Sequence, residues 1–189
     1  SILRLPEYLH FYFKDMGYEN IVFYDSLRGF YNTCEDGYLE NFSKLVGGSA
    51  SQGFIKADFK GGSRNDGASN LVRKALSQNQ EATVIVMEFA SRYITSPDNM
   101  EQNEVDSFTI LLQASLEAKD VRTGSNSILK NLLILITNKS NDIPAWFYLQ
   151  NPNVKMITLS SPSKEEREAL VKSQNFPSFF AGDVYKEDS

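Results

Sequence analysis

Three polar residues stand at or near the ends of short apolar runs. Asp25 follows Ile21, Val22, Phe23 and Tyr24; Glu88 lies at the end of the run 82–89; Asn138 follows the run 132–137. If these runs are strands of one doubly wound sheet, all three side chains fall at its carboxyl edge, where such folds hold their ligands. Arg28 and Gly29 come just after Asp25 and offer one cation and one glycine, but Phe30 and Tyr31 put bulky rings beside them. In that setting Glu88 suits a general base, and Arg28, with Lys60 from a later loop, suits charge neutralisation of phosphates.

Other chemistries are poorly provided for. A phosphate loop of the form G-x-x-x-x-G-K-[ST] wraps phosphates in backbone N–H groups and adds a lysine, yet no Gly-Lys pair occurs in the sequence. Lys60, Gly61, Gly62, Ser63 and Arg64 form a glycine-rich stretch ahead of a helix, but their spacing matches no phosphate motif and reads as a polar surface loop. Cys34 and His10 are the sole cysteine and histidine. That excludes an intramolecular disulfide, a CxxC redox centre and a Cys/His zinc site. A Ser-His-Asp triad would have to use His10, which sits among Tyr8, Leu9 and Phe11 and reads as structural. Glu35, Asp36, Asp98, Glu101, Glu104 and Asp106 are spread over loops and helix starts, and no acid-base pair stands out.

The elements that must position these residues follow from periodicity. The spacing of Tyr8, Leu9, Tyr12, Phe13 and Met16 behind Pro6 predicts a helix, stopped by Gly17. The segment 38–46 reads as a short helix inside a glycine-broken region, and 54–59 alternates like a strand. Helices are predicted over 68–78, 104–118, 144–149 and 162–173, the last with Ser161 as N-cap; strands over 82–89, 132–137 and 154–159; and polar loops over 60–67 and 121–130. Continuous apolar strands alternating with helices predict an α/β fold: a three-layer helix-sheet-helix sandwich with a mostly parallel sheet of about five strands. Residues 1–175 read as one domain and 176–189 as an edge element or linker. The 189 residues, 41% of them hydrophobic, allow one substantial core.

A formal net charge of -5 provides no basic field for nucleic acid or anionic lipid. The apolar runs fall far short of the roughly 20 residues a membrane span needs. The chain opens on Ser without a leader pattern, which reads as an excised fragment of a cytoplasmic protein.

The order of parts over residues 81–173 resembles the second half of an AAA+ ATPase core of the P-loop NTPase kind. The run 82–89 resembles the Walker B strand, 132–138 the sensor-1 strand ending in its polar residue, Asn141 to Phe147 the segment that follows it, and 154–171 the closing strand and helix. The resemblance then implies that Ile21 to Asp25 is the strand feeding the phosphate loop, that Glu88 stands at the catalytic acid position, and that Asn138 orients the attacking water. Departures accompany it: Met87 replaces the magnesium-organising Asp, and Asn151, Pro152, Asn153 and Lys155 supply no arginine finger. The implied function is that of a nucleotide-incompetent, Walker-A-less N-terminal domain of a larger bacterial ATPase. It would act as an assembly or regulatory module against a neighbouring ATPase domain or protein subunits, a homo-oligomer included, with Trp146, Phe147 and Tyr148 as candidate contacts. No cofactor is expected of such a domain. Two alternatives stand beside it: an ATPase holding ATP and magnesium on an atypical loop through Asp25, Arg28 and Gly29, and a doubly wound domain that binds a small molecule near Asp25, Glu88 and Asn138.

Overall fold

The computed structural model describes residues 4–47, 54–55, 67–149 and 151–173. Helix α1, Leu5–Met16, starts where the sequence provides for it: Pro6 occupies its first turn and the Glu7 carboxylate accepts the Arg4 N–H at 2.9 Å. It stops at Gly17, whose φ of 96° is a left-handed conformation that glycine adopts without strain. Strand β1, Asn20–Asp25, follows and is buried along its whole length. The chain then turns straight back as β2, Gly29–Tyr31, antiparallel to β1, with Gly29 at φ 79° directly opposite Asp25.

Helix α2, Asp36–Val46, the two-residue β3, Phe54–Ile55, and α3, Ala68–Leu76, lead into β4, Thr83–Met87. Helix α4 spans Gln102–Glu117; a small hairpin of β5, Asp120–Arg122, and β6, Ile128–Lys130, comes next; then β7, Leu132–Leu135, α5, Ala145–Tyr148, and α6, Lys164–Lys172. The main sheet has the order β3-β2-β1-β4-β7. β1, β4 and β7 run parallel, β2 is antiparallel, and β3 is a two-residue bridge at the edge of what is otherwise a mixed four-stranded sheet.

Alternating side chains place two cores on the two faces. Val22, Tyr24, Phe30, Ile85 and Met87 meet Phe42 of α2, Val72 and Leu76 of α3, Phe108 and Leu111 of α4, and Phe147 of α5. On the opposite face Ile21, Phe23, Tyr31, Val84 and Val86 meet Phe13 of α1 and Val121 of the β5–β6 hairpin. The expected three layers are therefore present among the described residues. A bidentate pair, Arg73 to Glu117 at 2.8 and 2.7 Å, ties α3 to α4 on the outside of the first core.

Several expectations are corrected. Gly29 to Tyr31 form a strand that the glycine-broken pattern concealed. The stretch 121–130, expected as a loop, carries most of the β5–β6 hairpin; each of its strands is only three residues long. The final helix is capped by Ser163, not Ser161: its hydroxyl accepts the Glu166 N–H at 3.1 Å and the Glu166 carboxylate accepts the Ser163 N–H at 2.7 Å. Residues 154–159 form no strand and pair with none, so the expected closing strand is absent here. Of the expected strand 54–59 only β3 is described, and the glycine-rich stretch 60–66 and the tail 176–189 lie outside the described residues.

Candidate functional site

The carboxyl ends of β1 and β4 lie side by side, Tyr24 opposite Met87, at the place where the chain leaves β1 toward opposite sides of the sheet: β2 to one side, β4 to the other. Such a switch point opens a crevice beyond the strand ends. At these strand ends Asp25, Arg28, Tyr31, Glu88 and Tyr93 come together.

Asp25 organises the turn. Its Oδ1 accepts the backbone N–H groups of Leu27 at 2.9 Å and Arg28 at 2.8 Å, and its Oδ2 accepts Arg28 Nε at 2.5 Å. The Arg28 guanidinium also donates to Tyr31 Oη at 2.6 Å and lies 3.7 Å from the centre of the Tyr31 ring, a cation–π contact. Burial alone would raise the Asp25 carboxyl. The backbone and side-chain hydrogen bonds from Arg28, with the Leu27 N–H, outweigh it and hold the group below the usual carboxylate range.

Glu88 is placed differently. Its residue is 9% exposed, and its Oε2 is buried and accepts no hydrogen bond, lying 3.6 Å from Arg28 Nη2. Burial raises its proton affinity; the Arg28 charge opposes that and the neighbouring Asp25 carboxylate adds to it. Arg28 reaches this place from the β1–β2 turn. Below the carboxylates, Tyr93 Oη donates to the Glu88 carbonyl at 2.6 Å and reaches the Tyr24 carbonyl at 3.3 Å. Burial drives the Tyr93 phenol far above its ordinary value, so it stays protonated and acts as a donor. Phe89 next to Glu88 has φ 53°, an unusual conformation for a side chain with a Cβ, and presents an exposed ring at the rim.

The structure thus brings together Asp25, Arg28 and Glu88, and puts Gly29 in the turn that makes their meeting possible. Asn138, three residues beyond the end of β7, is exposed and has no hydrogen bond to Glu88 among the described residues. The sequence offers Tyr31 only as a bulky ring beside Arg28, and gives no sign of Tyr93. Tyr31 stands three residues beyond Arg28 on a strand too short to recognise, and Tyr93 follows a one-turn helix, Ala90–Arg92, with no periodic signal. His10 belongs elsewhere: it is fully buried, with Asn32 Nδ2 at 3.1 Å from its Nδ1 and Glu35 Oε1 at 3.4 Å from its Nε2.

Nucleotide phosphates and magnesium do not fit this arrangement. β1 is followed by a strand and not by the helix whose N-terminus would hold a phosphate behind it. Two N–H groups of the turn are already bound by Asp25, and two carboxylates against one guanidinium leave a negative surplus that repels a polyanion. Among the described residues no group of three or more His, Cys, Asp and Glu side chains could hold a metal ion.

Fold and site together define a Rossmann-like α/β domain whose carboxyl edge is capped by its own side chains. The chain belongs to the family described as AAA+ chaperone, N-terminal Rossmann-like domain, which it matches over residues 1–160. Searches of curated proteins and of solved structures find no match. Among the described residues no helix is long and apolar enough to cross a membrane.

Proposed function

We propose that this domain is a module of a larger, bacterial and cytoplasmic AAA+ protein that neither binds nor hydrolyses nucleotide and serves assembly or regulation of the ATPase to which it is joined. The observation that supports this most is the Asp25 turn. Where a nucleotide-binding domain needs open backbone donors ahead of a helix, this chain folds back as a hairpin and uses its own carboxylate to bind those donors. An ATPase with an atypical loop would first have to break Arg28 away from Asp25 and Tyr31 before the cation could meet a phosphate.

Calorimetric titration of the 189-residue chain with ATP and ADP, with and without magnesium, tests this reading alongside a thermal shift. The expected outcome is no binding heat and no shift at millimolar nucleotide. Micromolar binding would overturn the proposal, since ligand at a hundredfold excess over Kd would stabilise the fold by about 2.7 kcal/mol.

A second reading rests on Glu88. A buried carboxylate oxygen without a hydrogen bond, at a switch point, suits a small cationic or hydrogen-bond-donating ligand. A thermal-shift screen of uncharged and cationic metabolites, repeated with Glu88→Gln, separates this from the assembly role: shifts that disappear in the variant favour the ligand site.

A further inference from the structure

β7 ends the sheet among the described residues and differs from its neighbours. β1 and β4 are buried throughout, whereas Leu132 is 37% exposed and residues 133–136 are only partly covered. Ile136 donates to the Met87 carbonyl at 2.9 Å and accepts from the Ala90 N–H at 2.9 Å, so its backbone faces β4. By the two-residue period of a strand, Leu133 and Leu135 then turn their N–H and C=O groups to the open side. The run Leu132, Leu133, Ile134, Leu135, Ile136 is the kind that parallel sheets bury on both faces. Its flanks, Asn131, Thr137 and Asn138, carry no charge, so within 131–138 no charged side chain guards the edge against further pairing.

A matching segment is present in every copy. Residues 154–159, Val-Lys-Met-Ile-Thr-Leu, have strand composition, and as a strand they would span about 20 Å at the usual rise. The Val154 N–H donates to the Asn151 carbonyl at 3.1 Å, but among the described residues no backbone hydrogen bond is made by 155–159. Met156 is 50%, Ile157 73% and Leu159 76% exposed. The family match runs to residue 160 and stops ahead of α6, so this segment belongs to the body of the domain. In the structure it makes no ladder with its own β7.

We propose that two copies of this chain exchange these segments, each adding its residues 154–159 as a further strand on the β7 edge of the other. The arrangement is isologous: edge and segment occur once per chain, neither is paired among the described residues of its own chain, and a two-fold axis satisfies both at once. It covers Leu132 and the exposed Met156 and Ile157, and it pairs the outward backbone groups of Leu133 and Leu135. The proposal is independent of whether the strand-end crevice binds anything.

The test combines sedimentation of the 189-residue chain with amide exchange read residue by residue. The expected result is a dimer that dissociates on dilution, with slow exchange at Leu133 and Leu135. Met156→Pro, which removes a donor from the segment, and Ile157→Lys, which charges it, should each give a monomer whose melting temperature equals that of the wild-type monomer. In those monomers the Leu133 and Leu135 amides should exchange roughly tenfold faster or more. A dimer that survives both substitutions overturns the proposal, and so does a monomer whose Leu133 and Leu135 amides exchange freely at every concentration. A monomer in which they are protected until the segment is altered also overturns it, by showing that the segment pairs with its own chain.

Discussion

The two ends of the sheet handle polar groups in opposite ways. At the amino end neutral amides are spent on backbone: Asn131 Oδ1 accepts the Thr83 N–H at 2.9 Å while its Nδ2 donates to the carbonyls of Leu76 at 3.0 Å and Gln78 at 2.7 Å. Gln78 in turn donates to the carbonyls of Ala75 and Glu81 and accepts the N–H groups of Gln80 and Glu81. At the carboxyl end the polar groups are charged, one guanidinium serves two carboxylates, and Glu88 Oε2 is left without a donor. The first arrangement fastens chain ends that would otherwise leave buried backbone unpaired; the second retains an electrostatic imbalance that fastening does not require. That contrast supports the proposed site at the carboxyl end, although the amino end also holds one buried acceptor without a donor, Asn20 Oδ1.

Three substitutions break or sharpen it. Asn131→Ala should have the largest effect on folding, because it strands the buried Thr83 N–H and the Gln78 carbonyl and takes one of two donors from the Leu76 carbonyl, which keeps the Lys119 N–H. Urea unfolding should show a loss of about 3 kcal/mol or more, and a loss below about 1 kcal/mol would remove the amino end's claim to be scaffolding. Asp25→Ala comes next, at about 2 kcal/mol near neutral pH, since it releases two backbone donors and one charged one. The Asp25 carboxyl is held below its ordinary value in the fold. Its contribution is therefore complete above the unfolded carboxylate pKa and lost as pH falls through the folded one, so unfolding curves of wild type and variant should converge in acid.

Glu88→Gln should have the smallest effect and the opposite sign. Burial raises the Glu88 carboxyl, so the fold favours its protonated form; the stability this brings is full below the unfolded pKa and disappears as pH rises through the folded one. The neutral amide should accordingly stabilise the domain near neutral pH by up to about 1 kcal/mol, with the gain vanishing at low pH. A destabilised Glu88→Gln would mean that the Arg28 contact outweighs the burial of the charge, and the two ends would then be alike.

Much of this was legible in the sequence because buried parallel strands leave a plain mark. The runs around Val22, Ile85 and Ile134 are the three parallel strands, and the polar residues behind two of them, Asp25 and Glu88, do meet. What escaped was short or cooperative. β2 is three residues long and hidden behind a glycine, and the β5–β6 hairpin is made of residues that read as polar loop. The pairing of Arg28 with Asp25 depends on a turn whose shape only Gly29 and the antiparallel return of the chain determine. Residues 154–159 show the converse: strand composition predicts a strand only where a neighbour offers a ladder.

The Tyr93 hydroxyl, described above as a donor to two carbonyls, has a mechanical consequence. One carbonyl belongs to Tyr24 at the end of β1 and the other to Glu88 just beyond β4, and the Glu88 N–H also donates to Tyr24 at 2.8 Å. The two strand tips are spliced at the point where Asp25 and Glu88 leave them. A displacement of one tip would therefore have to carry the other with it or break these hydrogen bonds.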